Sequence, residues 1–204
     1  GRGVRVAVLD TGIDLQHDAF RPIVDRIEVK DFSNAGAGDP FAHGTHCAGT
    51  IFGQDVDGVR IGVARGIQRA LVGRVFDDQG GGSSLALFNA MQWAIMAPVH
   101  VLSMSLGFDF AGLVEHSVRQ GTPTRLAAAE ALRDFLANVR MFDTLVKLAR
   151  DMAPFTGGTV VIAAAGNESQ PAYRVPLSQP ANSDGVISVG ALERSPDGMR
   201  VARF

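Results

Sequence analysis

The chain is poor in several things, and each shortage closes off a class of function. It has a single cysteine among 204 residues. That excludes an internal disulfide and any paired-cysteine metal site, and it leaves the compartment open. No apolar run reaches the roughly 18–20 residues that a membrane span needs. Neither sign of charge dominates: 19 Lys and Arg stand against 21 Asp and Glu, for a formal net charge of −2. Such a balance gives no electrostatic case for nucleic acid or for an anionic membrane surface as partner. No signal peptide and no internal repeat is visible. The start Gly1-Arg2-Gly3 is not a natural-looking one, so the missing signal says nothing about secretion.

What the chain does have is core material. Hydrophobic residues make up 46% of it, enough for one α/β domain and too many for disorder. Residues 5–9 are a short apolar run that reads as a buried parallel strand. Further strands are expected over 26–32, 69–76, 99–105, 159–164 and 186–192, with another beginning at 199. Helices are expected over 44–52, a run of small residues, and over 84–96. Strands alternating with helices predict a mostly parallel sheet covered on both faces, a three-layer α/β fold. Residues 124–153 are rich in Ala, Leu and Arg. They read as one long helix or, by preference, two broken near 138–141, capped by Thr122 or Thr124, with Leu126, Leu132, Leu136, Leu145 and Leu148 on the buried stripe.

Three short motifs carry chemistry. Asp10 ends the first apolar strand, where an open α/β sheet presents functional groups, and Thr11-Gly12 turns the chain away without covering the carboxylate. A strand-end Asp also commonly caps the next helix. His43 opens the run His43-Gly44-Thr45-His46, in which Gly44 and Ala48 leave room for close backbone approach. His43 and His46 could face one metal, but no H-E-x-x-H pattern accompanies them, so no metal ligands are assigned and His46 is expected to pack internally. Asn167 follows Gly166 after a buried strand, where its amide can donate to a developing oxyanion or simply occupy a turn. A phosphatase reading of Asp10 fails, because no second Asp follows two residues on.

Asp, then His, then Asn, in these settings and in this order, resembles the subtilisin-like serine proteases (the subtilase family). In that resemblance Asp10 and His43 are two members of the catalytic triad and Asn167 belongs to the oxyanion hole. The implied parent is a serine endopeptidase acting on polypeptides. Gly80, Gly81 and Gly82, with Ser105, Leu106 and Gly107, resemble the two segments between which a substrate peptide lies as an added strand. Ala164, Ala165 and Gly166 resemble one wall of the specificity pocket, with Ser178 near its floor and Glu168 at its rim. Gln179-Pro180 resembles the family's cis-proline position. The family's Gly-Thr-Ser-Met-Ala nucleophile motif is absent from the 204 residues, and Ser103 and Ser105 lie on the substrate strand. The expectation is a partial catalytic domain over 1–204, C-terminally truncated, inactive by itself and open to self-association through the truncated face. The alternative is a non-catalytic peptide-binding module. Residues 108–140 exceed the compact family members and are expected to form a helical insertion, either a surface helix or a wall of the cleft. No cofactor is needed for the chemistry. A structural calcium ion at Asp55 and Asp57 is the one inorganic partner the resemblance suggests. Cys47, one turn after His43, reads as a small buried hydrophobe, and the resemblance adds sensitivity to thiol reagents.

Overall fold

A computed structural model describes residues 1–170 and 172–203. The chain divides into two compact units, one of residues Gly1–Ser105 with Lys147–Val161, the other of Leu106–Val146 with Ile162–Phe204.

The first unit is built around β1 (Arg5–Asp10). Its apolar residues are buried on both sides, so the strand needs a neighbour along each edge and a helix over each face. The edges are met by β3 (Arg69–Arg74) and β4 (Val101–Met104), and β2 (Ile27–Asp31) lies beyond β3. All three pairings are parallel, with Arg5 opposite Arg69, Val6 opposite Val101 and Ile27 opposite Ala70. On one face Val6, Val8, Ala70 and Val72 pack with Ala48 and Phe52 of α1 (His43–Phe52). The opposite face carries Leu9 and Gly73 against Ala90 of α2 (Ser84–Met96). This gives the expected three layers. β5 (Val160–Ala164) enters beside β4, where Val160 N–H donates to His100 O at 2.9 Å.

The second unit takes up the rest of β5. Ala165 N–H donates to Val189 O of β6 (Val186–Val189) at 2.9 Å. The strand expected over 186–192 ends earlier, at Val189. The chain then forms an antiparallel pair, β7 (Leu192–Ser195) and β8 (Gly198–Val201), with Ser195 opposite Gly198. β8 ends before residue 204, which lies outside the described residues. Ile187, Val189, Leu192, Met199 and Val201 are all more than half exposed.

Residues 108–140 are mostly helical, as α3 (Phe110–Arg119) and the start of α4 (Thr124–Asp151). A four-residue helix, α5 (Ala153–Thr156), follows. Two expectations fail here. First, α4 is a single continuous helix of 28 residues. It contains neither Gly nor Pro, and the expected break at Asn138 costs at most about 0.7 kcal/mol of helix propensity, too little to stop it. Second, the buried stripe is Ala127, Ala131, Asn138, Phe142, Leu145, Val146 and Ala149, while Leu126, Leu132 and Leu136 are 45–49% exposed. Alanines allow close approach, so packing selects the phase that they share with Phe142 and Leu145 over the phase richest in leucine. Phe135 is this segment's aromatic anchor, with its ring 6.0 Å from Phe108 and 5.9 Å from Phe110.

Candidate active site

The site in the first unit starts from two ordinary consequences of sequence. The apolar run of β1 must end where its last residue can meet a polar partner, and that residue is Asp10. Gly12, at φ +122°, then turns the chain. A methyl group on Gly12 would lie 2.1 Å from Gly38 O, so the position needs glycine for space as well as conformation. α1 begins at His43, and its small residues let its first turn settle directly on the turn after β1.

These elements bring Asp10 and His43 together. Asp10 is fully buried. Its Oδ1 lies 2.6 Å from His43 Nδ1 and accepts the Thr11 N–H at 2.7 Å. The His43 side chain is 53% exposed. With Nδ1 held by a buried carboxylate, Nε2 is the nitrogen left to take a proton from an incoming group, and Asp10 stabilises the imidazolium that results.

Cys47 Sγ lies 3.9 Å from His43 Nδ1 and 4.0 Å from Nε2. Burial pushes this thiol up from its ordinary value, and the negative charge of Asp10 adds to that, against a hydrogen bond with Ser105 that acts the other way. A thiol kept protonated is not an activated nucleophile. Asp10, His43 and Cys47 form the one group of three potential metal donors among the described residues, with their donor atoms within 4.8 Å of one another. His46 is outside that group and is exposed rather than packed. At the suggested calcium loop, both carboxylate oxygens of Asp55 are bonded by Arg65, and Val56 bridges to Val59 across a tight turn.

Gly80, Gly81 and Gly82 form a loop closed on Asp77. Asp77 Oδ1 accepts from Gly81 N–H at 2.8 Å and from Gln79 N–H at 2.9 Å, while Gly82 pairs with Phe76. Ser105 ends this unit's share of the predicted substrate segments.

The second unit holds Leu106, Gly107, Ala164, Ala165, Gly166, Asn167 and Ser178. Asn167 is exposed after β5, and its backbone N–H donates to Glu168 Oε2 at 2.8 Å. Gly166 takes φ +114°. Gly107 and Ser178 do come together: a methyl group on Gly107 would lie 3.0 Å from Ser178 Oγ, and Phe108 N–H donates to Gln179 O at 3.0 Å. The Gln179–Pro180 bond is cis, as the resemblance implies. Beside Ser178 opens a cavity of about 500 Å³, walled by Phe108, Phe110, Leu132, Phe135 and Leu177, with Glu168 on its lining. Residues 108–135 therefore supply one wall of this cavity.

Residues 1–202 match the family model described as the subtilase family, Peptidase_S8. The chain belongs to the subtilases. It is 27% identical over 195 residues to subtilisin DY of Bacillus licheniformis, covering 95% of this chain and 58% of that protein. It is 30% identical over 199 residues to the major intracellular serine protease of Bacillus subtilis, covering 94% of this chain and 52% of that protein. Among solved structures, sphericase superposes with a TM-score of 0.66 at 24% identity, over 100% of this chain and 58% of that one. The chain thus spans little more than half the length of these subtilases.

Two polar residues escaped the reading of the sequence. Asp39 accepts hydrogen bonds from Thr11 Oγ1 and Thr45 Oγ1, both at 2.7 Å, and from Thr45 N–H at 2.8 Å. Burial raises its carboxyl, but these bonds and one from the Phe41 backbone outweigh it, and its pKa lies below the ordinary value. Arg74, opposite Asp10 in the sheet, is 2% exposed. It donates to Phe76 O at 3.0 Å, Gly36 O at 3.1 Å and Asp78 Oδ1 at 2.6 Å. An Asp placed four residues before the motif histidine was the available signal for Asp39. A charged residue closing an otherwise apolar strand was the signal for Arg74.

Proposed function

We propose that this chain carries the acid–base half of a serine endopeptidase. The observation that supports it is the 2.6 Å contact between the buried Asp10 carboxylate and His43 Nδ1. A serine hydroxyl is a weak nucleophile until a base takes its proton, and the base works only when held in one tautomer by a buried acceptor. Asp10 holds His43, His43 Nε2 accepts the serine proton, and the same nitrogen returns it to the leaving amine. Asn167 and a backbone N–H stabilise the oxyanion. The family resemblance supports residues 80–82 and 105–107 as the segments that hold the peptide by its backbone, and the apolar walls of the cavity at Phe108 and Phe135 suit an apolar side chain. The nucleophile comes from outside residues 1–204, so this stretch alone turns over no peptide.

A chromogenic peptide and a fluorophosphonate probe test both statements. The full-length protein hydrolyses the one and is labelled by the other, and His43→Ala costs about 10²–10⁴-fold in kcat. Residues 1–204 alone do neither. A kcat left unchanged by His43→Ala refutes the mechanism, and labelling of residues 1–204 by the probe refutes the assignment of the nucleophile.

A further inference from the structure

We propose that Asp39 is the positioning residue of the Asp10–His43 pair, a latch that holds the first turn of α1 against the turn that follows β1. The proposal rests on the reading of Asp10 and His43 as an acid–base pair, and it adds the group that keeps them in register.

A helix begins with backbone N–H groups that have no partner inside it. In α1 the residue before the helix is Ala42, at φ +57°, whose methyl side chain can cap nothing. Both acceptors come from elsewhere. Gly44 N–H donates to Thr11 Oγ1 at 2.8 Å, and Thr45 N–H donates to Asp39 Oδ2 at 2.8 Å. Asp39 then ties the two acceptors together. Its Oδ1 accepts the Thr11 hydroxyl and its Oδ2 accepts the Thr45 hydroxyl, each at 2.7 Å. The circuit closes through Thr45 Oγ1, which accepts Asp14 N–H at 2.9 Å.

Each end of this latch is adjacent to one member of the pair. Thr11 follows Asp10 directly, and Thr45 stands two residues past His43. The carboxylate thus joins the backbone that carries the acid to the backbone that carries the base, without touching either catalytic side chain. Its negative charge lies at the N-terminus of a ten-residue helix, where the helix dipole favours an anion. Asp10 orients His43 through a hydrogen bond of about 2.6–3.2 Å, and a misplacement of about 1 Å is enough to cost about 10²-fold in rate.

The hydrogen bond itself gives a readout that does not depend on turnover. In residues 1–204, the His43 Nδ1 proton bonded to Asp10 is followed as a low-field proton resonance. We expect it to be resolved in the unmodified chain. Asp39→Asn, which keeps the shape but leaves one acceptor oxygen for four donors, broadens or abolishes it while thermal unfolding still reports a folded protein. Thr45→Val removes only the hydroxyl bond and moves the resonance less, in the same direction; it decides the matter should Asp39→Asn not fold. In the full-length protein Asp39→Asn lowers kcat about 10-fold and Asp39→Ala about 10²-fold, with KM within about twofold. A merely structural Asp39 lowers the unfolding temperature and leaves the resonance and the kcat of the folded fraction unchanged, and that result overturns the proposal. A full-length protein with native Asp39 that hydrolyses nothing defeats the endopeptidase reading instead, while the resonance still decides the latch.

Discussion

Gly44→Ala and Gly49→Ala are the same substitution on the same helix, and the structure assigns them opposite signs. A methyl carbon on Gly44 would lie 2.2 Å from Gly12 O, 2.9 Å from Gly12 N and 3.1 Å from Gly12 C. All three are backbone atoms, so none can rotate away. Ordinary contact begins at 3.4 Å, so α1 must retreat from the turn after Asp10 by about 1 Å. Overpacking of this kind costs about 1–3 kcal/mol, and loss of the Gly44–Thr11 hydrogen bond adds about 1 kcal/mol. We expect a destabilisation of about 2–4 kcal/mol. A methyl group on Gly49 would lie 3.8 Å from Ile61 Cγ2 and 3.8 Å from Phe20 Cζ, which is ordinary contact. Gly49→Ala therefore keeps the packing and gains about 0.5–1 kcal/mol by restricting the unfolded chain and favouring helix. Urea unfolding followed by the fluorescence of Trp93, the single tryptophan, should show the midpoint falling for one variant and rising for the other at an unchanged slope. A Gly44→Ala chain within about 0.5 kcal/mol of the unmodified one, or a Gly49→Ala chain equally unstable, would refute the argument.

Two further outcomes follow from single groups. Burial raises the Cys47 thiol above its ordinary value of 9.0, so less thiolate is present at any pH below that value than in free cysteine. Alkylation by iodoacetamide should be slower than that of free cysteine at pH 7.5 and should accelerate only as the pH rises past the ordinary range; equal rates at pH 7.5 would contradict it. Asp78 is 63% exposed, yet it is the counter-ion of the 2% exposed Arg74. Asp78→Ala should cost about 1.5–3 kcal/mol by removing a charge-assisted hydrogen bond from buried Arg74, which keeps the attraction of Asp31, against less than about 0.5 kcal/mol for Lys147→Ala in the exposed pair with Asp151. Equal effects in the unfolding assay would show that Arg74 does not depend on Asp78.

Much of the pair's geometry is legible in the sequence because it is local. A continuous apolar run that stops at Asp10 can only be a buried strand with its last carboxylate at the sheet's end. A helix of Gly, Ala, Cys and Thr after His43 can only be one that packs closely. The cis bond at Pro180 was legible through the family resemblance and through nothing else. What the sequence hid was tertiary. Asp39 bonds Thr11 from 28 residues away and Arg74 bonds Gly36 from 38, and no periodicity announces such partners. The phase of α4 was misread because leucine dominates any hydrophobic pattern, whereas alanine buries less area and approaches more closely. The break expected near 138–141 does not form, and Asn138 is buried inside an unbroken helix.

The central place of β1 has a consequence for how the protein is made. β1 is synthesised well before its partners: Arg5 pairs with Arg69, and Val6 with Val101. At about 5–20 residues per second, the strand waits about 5–20 s on the ribosome for its second neighbour. Throughout that interval Val6, Ala7, Val8 and Leu9 form an apolar ribbon with an open edge, the kind of segment that chaperones hold and aggregates recruit. High contact order of this sort also slows folding after release. Asp10 and His43 are both made before β3 and β4, so the two strands that flank β1 arrive after the pair whose carrier strand they close.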